Sequence, residues 1–255
     1  VNRETQGFVL LLLGGAVLRA GLTDVYLRYV KAGLRPLLLL AGVVLIIAAL
    51  ATFWYELRRS RAHRRDEHDV AGHDRAGHDG PGQDNSDGHA HREPRIAWLL
   101  VLPVFVLILV VPPALGSYAA GRTGTALQPG LIVATATAGD PAPMSLLNYA
   151  TLAVYEHGGP LGNRRVKITG FITIGPHGAP YLTRMILTCC AADAQPIKVG
   201  LSGQVPPALK PDVWLEITGT YTDKQITDDV NGGPIPFIQV SQTTPVPAPH
   251  DPYGA

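Results

Sequence analysis

Apolar residues fall in long unbroken runs up to about residue 118 and in short, partly alternating stretches after residue 144. A helix crossing the roughly 30 Å hydrocarbon layer needs about 20 apolar residues, because lipid offers the backbone no hydrogen-bond partner. Three runs approach that length. Residues 37–55, LLLLAGVVLIIAALATFWY, carry no charge and end on Trp54 and Tyr55, where an interfacial aromatic belt belongs. Residues 96–118 are equally free of charge and hold Trp98 near their start. Pro103 predicts a kink in that run, and Pro112-Pro113 predicts the end of its regular helix. Residues 7–26 form a weaker run, with Arg19 inside it and Asp24 at its border, and a cleavable signal peptide competes with a retained span there. The retained helix is favoured, because only Arg3 precedes the run, no clear Ala-x-Ala site follows, and apolar character continues into Val25, Tyr26, Leu27 and Tyr29. Arg19 then snorkels to the headgroups.

The pattern changes after a connector, residues 116–143, rich in Gly, Ala and Thr; its part from 119 to 143 reads as a linker. Ser145 is a plausible N-cap for a helix over 145–156, which carries Leu146, Leu147, Ala150, Leu152, Ala153 and Val154 and is stopped by Gly158-Gly159-Pro160. Five strands are predicted at 165–174, 181–190, 197–201, 213–221 and 235–240, each rich in β-branched or aromatic residues. Apolar and polar positions alternate through 213–218, and Gly170 and Gly219 suit bulges or sharp bends. Five short strands and one helix over residues 144–243 suggest a small OB-type barrel, with a sandwich as the alternative. Residues 223–229, DKQITDD, read as a solvated turn, because they lack the ligand spacing and glycine of a calcium loop. The proline-rich residues 244–255 read as an extended or disordered tail. The fold class is thus an α-helical membrane half with about three transmembrane helices, two of them within residues 1–57 and the third at 95–118, joined to a mostly β domain.

Charge sets the orientation. The net charge is only +1, but Arg58, Arg59, Arg61, Arg64, Arg65, Arg75, Arg92 and Arg95 all lie between the second and third runs. Positive loops stay inside. That rule puts residues 58–94 and the N-terminus in the cytoplasm and the β domain outside, in a multi-pass protein of the plasma membrane. Arg28, Lys31 and Arg35 oppose the assignment and are fewer.

The same loop reads HRRDEHDVAGHDRAGHDGPGQDNSDGHAH from His63 to His91, with almost no large apolar residue, and is expected to be disordered. His68-Asp69, His73-Asp74 and His78-Asp79 recur every five residues, and His89 and His91 follow. Imidazole and carboxylate both bind borderline divalent metals such as zinc, so the segment reads either as a metal-collecting loop or as a solvated linker.

Cys189 and Cys190 are the only cysteines, which excludes a disulfide framework within one chain. Neighbouring side chains in a strand point to opposite faces, so two thiols there would not share a metal; a turn at this point would change that. Three functional readings stand, namely a metal site completed by Asp193 or His177, a redox pair, and a thiol facing a partner subunit. Against them stands one buried and one surface cysteine of purely structural role.

The order of two spans, polar loop, third span, then GFITIG, YLTRMILTCCAADAQPIKVGL and WLEITGTY resembles the YcgQ-like family of bacterial permease subunits. The resemblance is strongest over residues 165–221 and covers nearly the whole chain. It implies a larger multi-span permease as partner and a link to divalent metal, notably zinc; it assigns no roles to Cys189, Cys190, Ala191, Ala192 or Asp193. The leading expectation is therefore a non-catalytic accessory subunit of a two-component permease, with the lipid bilayer as its second partner and a divalent transition metal such as zinc as its candidate ion. The alternative is a membrane-anchored OB-like module binding envelope oligosaccharide or nucleic acid. Nucleic acid is not expected, because Arg164, Arg165, Lys167, Arg184, Lys198, Lys210 and Lys224 are scattered among acids rather than clustered with aromatics. An enzyme is not expected either, since no G-x-S-x-G, H-E-x-x-H or phosphate loop occurs.

Overall fold

The computed structural model describes residues 3–70, 113–130 and 138–254. The chain forms two compact units, one of Val1–Thr23 with Pro36–Pro112 and one of Asp24–Arg35 with Pro113–Ala255.

In the first unit, helix α1 (Arg3–Leu22) packs against helix α2 (Arg35–Val70) through small residues. A Cβ placed on Gly14 would lie 2.8 Å from the Ile46 side chain, and one on Gly42 would lie 2.8 Å from that of Leu18. Glycine at both places lets the two backbones approach, as at helix contacts in lipid. Among the described residues one helical stretch, Ala32–Arg58, is long and apolar enough to cross a membrane, and it contains the predicted run 37–55. The apolar part of α1, Gln6–Leu22, is shorter. Three spans are therefore not seen among the described residues; 96–112 of the third run lie outside them.

Two boundaries differ from the sequence reading. The first helix stops at Leu22, and Asp24–Arg28 turns into a 3-10 helix whose Tyr26 and Leu27 are buried in the second unit. Their apolar character serves a protein core rather than lipid. The second helix continues to Val70, so residues 58–70, expected to open a disordered loop, are helical. Arg, a good helix former, fills five of the thirteen positions in that extension.

The second unit is built on a closed barrel. Its strands are β1 (Ala142–Pro143), β2 (Arg165–Ile174), β3 (Pro180–Ile186), β4 (Gln195–Gly203), β5 (Trp214–Thr227) and β6 (Pro234–Pro245). They run in the order β1-β2-β3-β4-β6-β5, and pairing of β2 with β5 closes five of them into a ring of the OB-like Greek-key kind. Pairing is antiparallel except between β4 and β6 and between β1 and β2. Strand β2 serves two neighbours, pairing with β5 over Arg165 to Phe171 and with β3 over Phe171 to Ile174. Gly170 stands at the changeover, where a Cβ would meet the Thr183 carbonyl oxygen at 2.7 Å. Gly219 follows a register shift between β5 and β6, as expected of a bulge.

Inside the ring lie Val166, Ile168, Ile172, Leu182, Ile197, Val199, Leu215, Ile217 and Ile238. Helix α4 (Leu146–Tyr155) adds Leu146, Tyr149 and Leu152 to the same core, and its Ser145 cap accepts the Asn148 amide at 3.1 Å. The Tyr149 hydroxyl donates to the Phe237 carbonyl at 2.7 Å, which satisfies the polar end of this buried side chain.

The described residues of the segments read as linker and tail are packed instead. Residues 117–122 form helix α3 (Ser117–Arg122), Thr125, Ala126 and Leu127 are buried, and the Ala126 amide donates to Pro196 at 2.8 Å. Ala142 is buried where β1 pairs with β2. At the far end, β6 runs to Pro245, the Val246 amide donates to Trp214, and Tyr253 is buried. Arg184 binds the tail by donating to the Asp251 and Gly254 carbonyls at 3.1 and 2.6 Å. Residues 223–227 continue β5 rather than forming a solvated turn, and Asp228 is buried. Its carboxylate accepts from the Lys198 ammonium at 2.8 Å and from the Thr125 and Val230 amides at 2.9 and 3.0 Å. Lys198 also donates to the Thr123 carbonyl at 2.9 Å. Burial raises the Asp228 carboxyl, but the Lys198 hydrogen bond and charge and the two amides outweigh it and hold the group below its ordinary value.

Candidate functional site

Strand β3 ends at Ile186, short of the expected limit at residue 190, because the following peptides are taken up by a side chain instead of a neighbouring strand. That side chain is Asp193, in the 3-10 turn Ala191–Asp193. Its Oδ1 accepts the Thr188 amide at 2.9 Å, and its Oδ2 accepts the Cys189 amide at 2.8 Å, the Cys189 thiol at 2.9 Å and the Cys190 amide at 3.4 Å. A small polar residue bonding back to preceding amides is a common way to stop a strand.

The turn has a chemical consequence. Cys189 Sγ, Cys190 Sγ and an Asp193 carboxylate oxygen lie within 4.8 Å of one another, so the opposite-facing geometry expected of a strand does not apply. Tetrahedral zinc, with Zn–S of about 2.3 Å and Zn–O of about 2.0–2.2 Å, needs donors roughly 3.5–3.8 Å apart, a spacing on the scale of this cluster. Cys189 is exposed, and Cys190 and Asp193 are half-buried, so the cluster is open to solvent.

Its electrostatics favour a held proton. The hydrogen bond to Asp193 is the largest cause that pushes the exposed Cys189 thiol up to about 11, followed by the bond to Cys190 and a slight desolvation. The reciprocal bond from the thiol, with the three amides, pulls the Asp193 carboxyl down to about 2 against partial desolvation. A thiol of that pKa is about one ten-thousandth thiolate at neutral pH, the opposite of an activated nucleophile. Cys189 is accordingly expected to react with iodoacetamide slowly at pH 7 and to speed up until about pH 11, with Asp193→Asn reacting faster at neutral pH. Rapid alkylation of the unaltered chain at pH 7, mapped by mass spectrometry, would show that the Asp193 bond does not hold in solution.

Segment Asp24–Arg35, which belongs to the same compact unit, lies against this turn. Val30 and Cys190 form an antiparallel bridge in which the Lys31 amide donates to Cys189 O at 3.1 Å and the Ala191 amide donates to Tyr29 O at 2.7 Å. Tyr253 holds the segment from another side, accepting the Leu115 amide at 2.8 Å and donating to Arg28 O at 3.2 Å. The sequence signals this contact only through the apolar pair Tyr26-Leu27, which by pattern alone continues a membrane run.

The remaining candidates fall outside what is described of the chain. His68 falls on α2, with its side chain outside the described residues, as is that of His177 in the turn Pro176–Gly178; His73, His78, His89 and His91 lie outside them altogether. Among the described residues, Cys189, Cys190 and Asp193 are the group of three such donors that converges.

No curated protein and no solved structure matches the chain. Residues 148–254 match the family described as the DUF1980 C-terminal domain. That match takes in nearly all of α4, barrel strands β2 to β6, the Cys-Cys-Ala-Ala-Asp turn and the packed tail.

Proposed function

We propose that the protein is a non-catalytic accessory subunit of a two-component membrane permease that handles a divalent transition metal such as zinc. The observation that carries this reading is the convergence of two sulfur donors and one carboxylate on an exposed turn. Sulfur ligands favour zinc and its softer neighbours over magnesium or calcium. Three protein ligands leave a fourth position for water or a donor from another molecule, as suits capture and release better than a closed four-ligand structural site.

A multi-pass arrangement draws support from chain connectivity. The residues before α2, Asp24–Arg35, and the barrel after Pro113 belong to one compact unit. If α2 crosses the bilayer, the chain must cross back before Pro113 to reach the barrel on the same side. The charge-free residues 96–112 supply a sequence able to do so. The arginine-rich loop then lies in the cytoplasm, the barrel lies outside, and His68, His73, His78, His89 and His91 can collect metal on the inner face. α1 and the apolar stretch of α2 offer little polar lining beyond Arg19, so a multi-span partner supplies the pathway.

The test is elemental analysis of cells lacking the protein, with and without complementation, under metal limitation and excess. A several-fold change in one metal, restored by the intact chain and not by Cys189→Ser with Cys190→Ser, supports the proposal and names the ion. Unchanged zinc, cobalt, nickel and copper would remove it and turn attention to organic solutes.

A further inference from the structure

We propose that the segment joining α1 to α2, Asp24–Arg35, is the positioning element of the Cys189/Cys190/Asp193 cluster, so that metal binding and docking of this segment strengthen each other. The proposal rests on the metal reading of the cluster. It starts from an accounting of the turn's backbone bonds. The amides of Thr188, Cys189 and Cys190 all donate to the Asp193 carboxylate, which is itself a candidate ligand. Within the turn the Asp193 amide donates to Cys190 O at 3.0 Å and the Ala194 amide to Ala191 O at 3.4 Å; the bonds that tie the turn to another part of the chain without using that carboxylate come from the segment, which receives the Ala191 amide at Tyr29 O and gives the Lys31 amide to Cys189 O.

When Asp193 Oδ2 turns to a metal, the thiol bond it accepts from Cys189 must break and its amide bonds loosen. The two bridge bonds then hold both cysteines in one register. They flank Cys190 on either side, one at the carbonyl before it and one at the amide after it. A ligand turn without such support would have to be ordered by the metal itself, at a loss in affinity. The segment has its own anchors in Tyr26 and Leu27, both buried, and in the Tyr253 hydroxyl on Arg28 O. By thermodynamic reciprocity, what the segment does for the metal the metal does for the segment. Arg35 is the first residue of α2, so occupancy of the cluster restrains the chain where it enters its long apolar helix.

Lys31 allows a clean test. Its backbone angles, φ −58° and ψ 138°, are those proline adopts, so Lys31→Pro keeps the conformation and deletes only the bridge donor and the side chain. Lys31→Ala deletes the side chain and keeps the donor. Zinc titration of the detergent-solubilised full chain under reducing conditions is expected to show affinity weakened about tenfold or more by Lys31→Pro, the usual loss when support of a ligand is removed, and little changed by Lys31→Ala. Zinc is also expected to slow hydrogen exchange of the Lys31 and Ala191 amides in the unaltered chain by a similar factor, with the barrel amides of Ile197 and Val199 as the reference for intact folding. Exchange at Lys31 and Ala191 indifferent to zinc, or unchanged affinity in a folded Lys31→Pro chain, overturns the coupling alone. Absence of zinc binding by the unaltered chain, or full binding after Cys189→Ser with Cys190→Ser, overturns the metal reading and the coupling with it.

Discussion

Lys198→Met is expected to destabilise the barrel by about 3–5 kcal/mol, the usual cost of leaving one member of a buried ion pair without its partner. Both side chains are nearly inaccessible, at 7% and 4% relative exposure, and their charged atoms meet at 2.8 Å. In the variant the Asp228 carboxylate keeps the Thr125 and Val230 amides but loses its counter-charge, and the Thr123 carbonyl loses its donor. Adding Asp228→Leu to that variant is expected to recover part of the loss, since two apolar groups leave no stranded charge. Denaturant titration of the solubilised chain, read through exchange of the barrel amides, measures both. A loss under about 1 kcal/mol for the single variant would mean that water reaches the pair. The acid dependence has a definite sign. The Asp228 carboxyl is depressed in the folded state, so its contribution is complete above the ordinary carboxylate value of about 3.9 and disappears as pH falls through the lower folded value.

The second large effect concerns the cysteines. Zinc binding by the full chain is expected to fall at least about 100-fold when Cys189 and Cys190 are both replaced by serine, because a neutral hydroxyl is a far poorer ligand than a thiolate. Binding also has to expel the Cys189 proton, which the Asp193 hydrogen bond retains up to about pH 11. Affinity is therefore expected to drop about tenfold for each unit of acidification per proton released, a slope that isothermal titration in buffers of different ionisation enthalpy reads directly. Affinity independent of pH between 6 and 8 would mean that carboxylates, not these thiols, hold the metal. The structural role of Asp193 in ordering the turn follows the opposite arm of the pH scale. With its carboxyl near 2, the three amide bonds are complete above about pH 4 and are lost only as pH falls through about 2.

Much of the architecture follows from local pattern. The charge-free residues 37–55 could only be an apolar helix, and Ser145 followed by an apolar stripe marked α4 to within a residue. The first predicted strand coincides with β2, and the alternation around Leu215 and Ile217 identified which face of β5 meets the core. These features are written within ten to twenty neighbouring positions, since helix and strand periods are properties of a short backbone segment. Tertiary structure decided the rest. The turn that brings Cys189 and Cys190 together depends on Asp193 capturing three amides, and the same residues in an uninterrupted strand would have kept the thiols apart. Val30 meets Cys190, Tyr253 meets Arg28 and Lys198 meets Asp228 across separations that no period or composition records. Linker, tail and connector looked unstructured or membrane-bound for that reason, because their order comes from backbone groups and single anchoring side chains finding partners only once the barrel has closed.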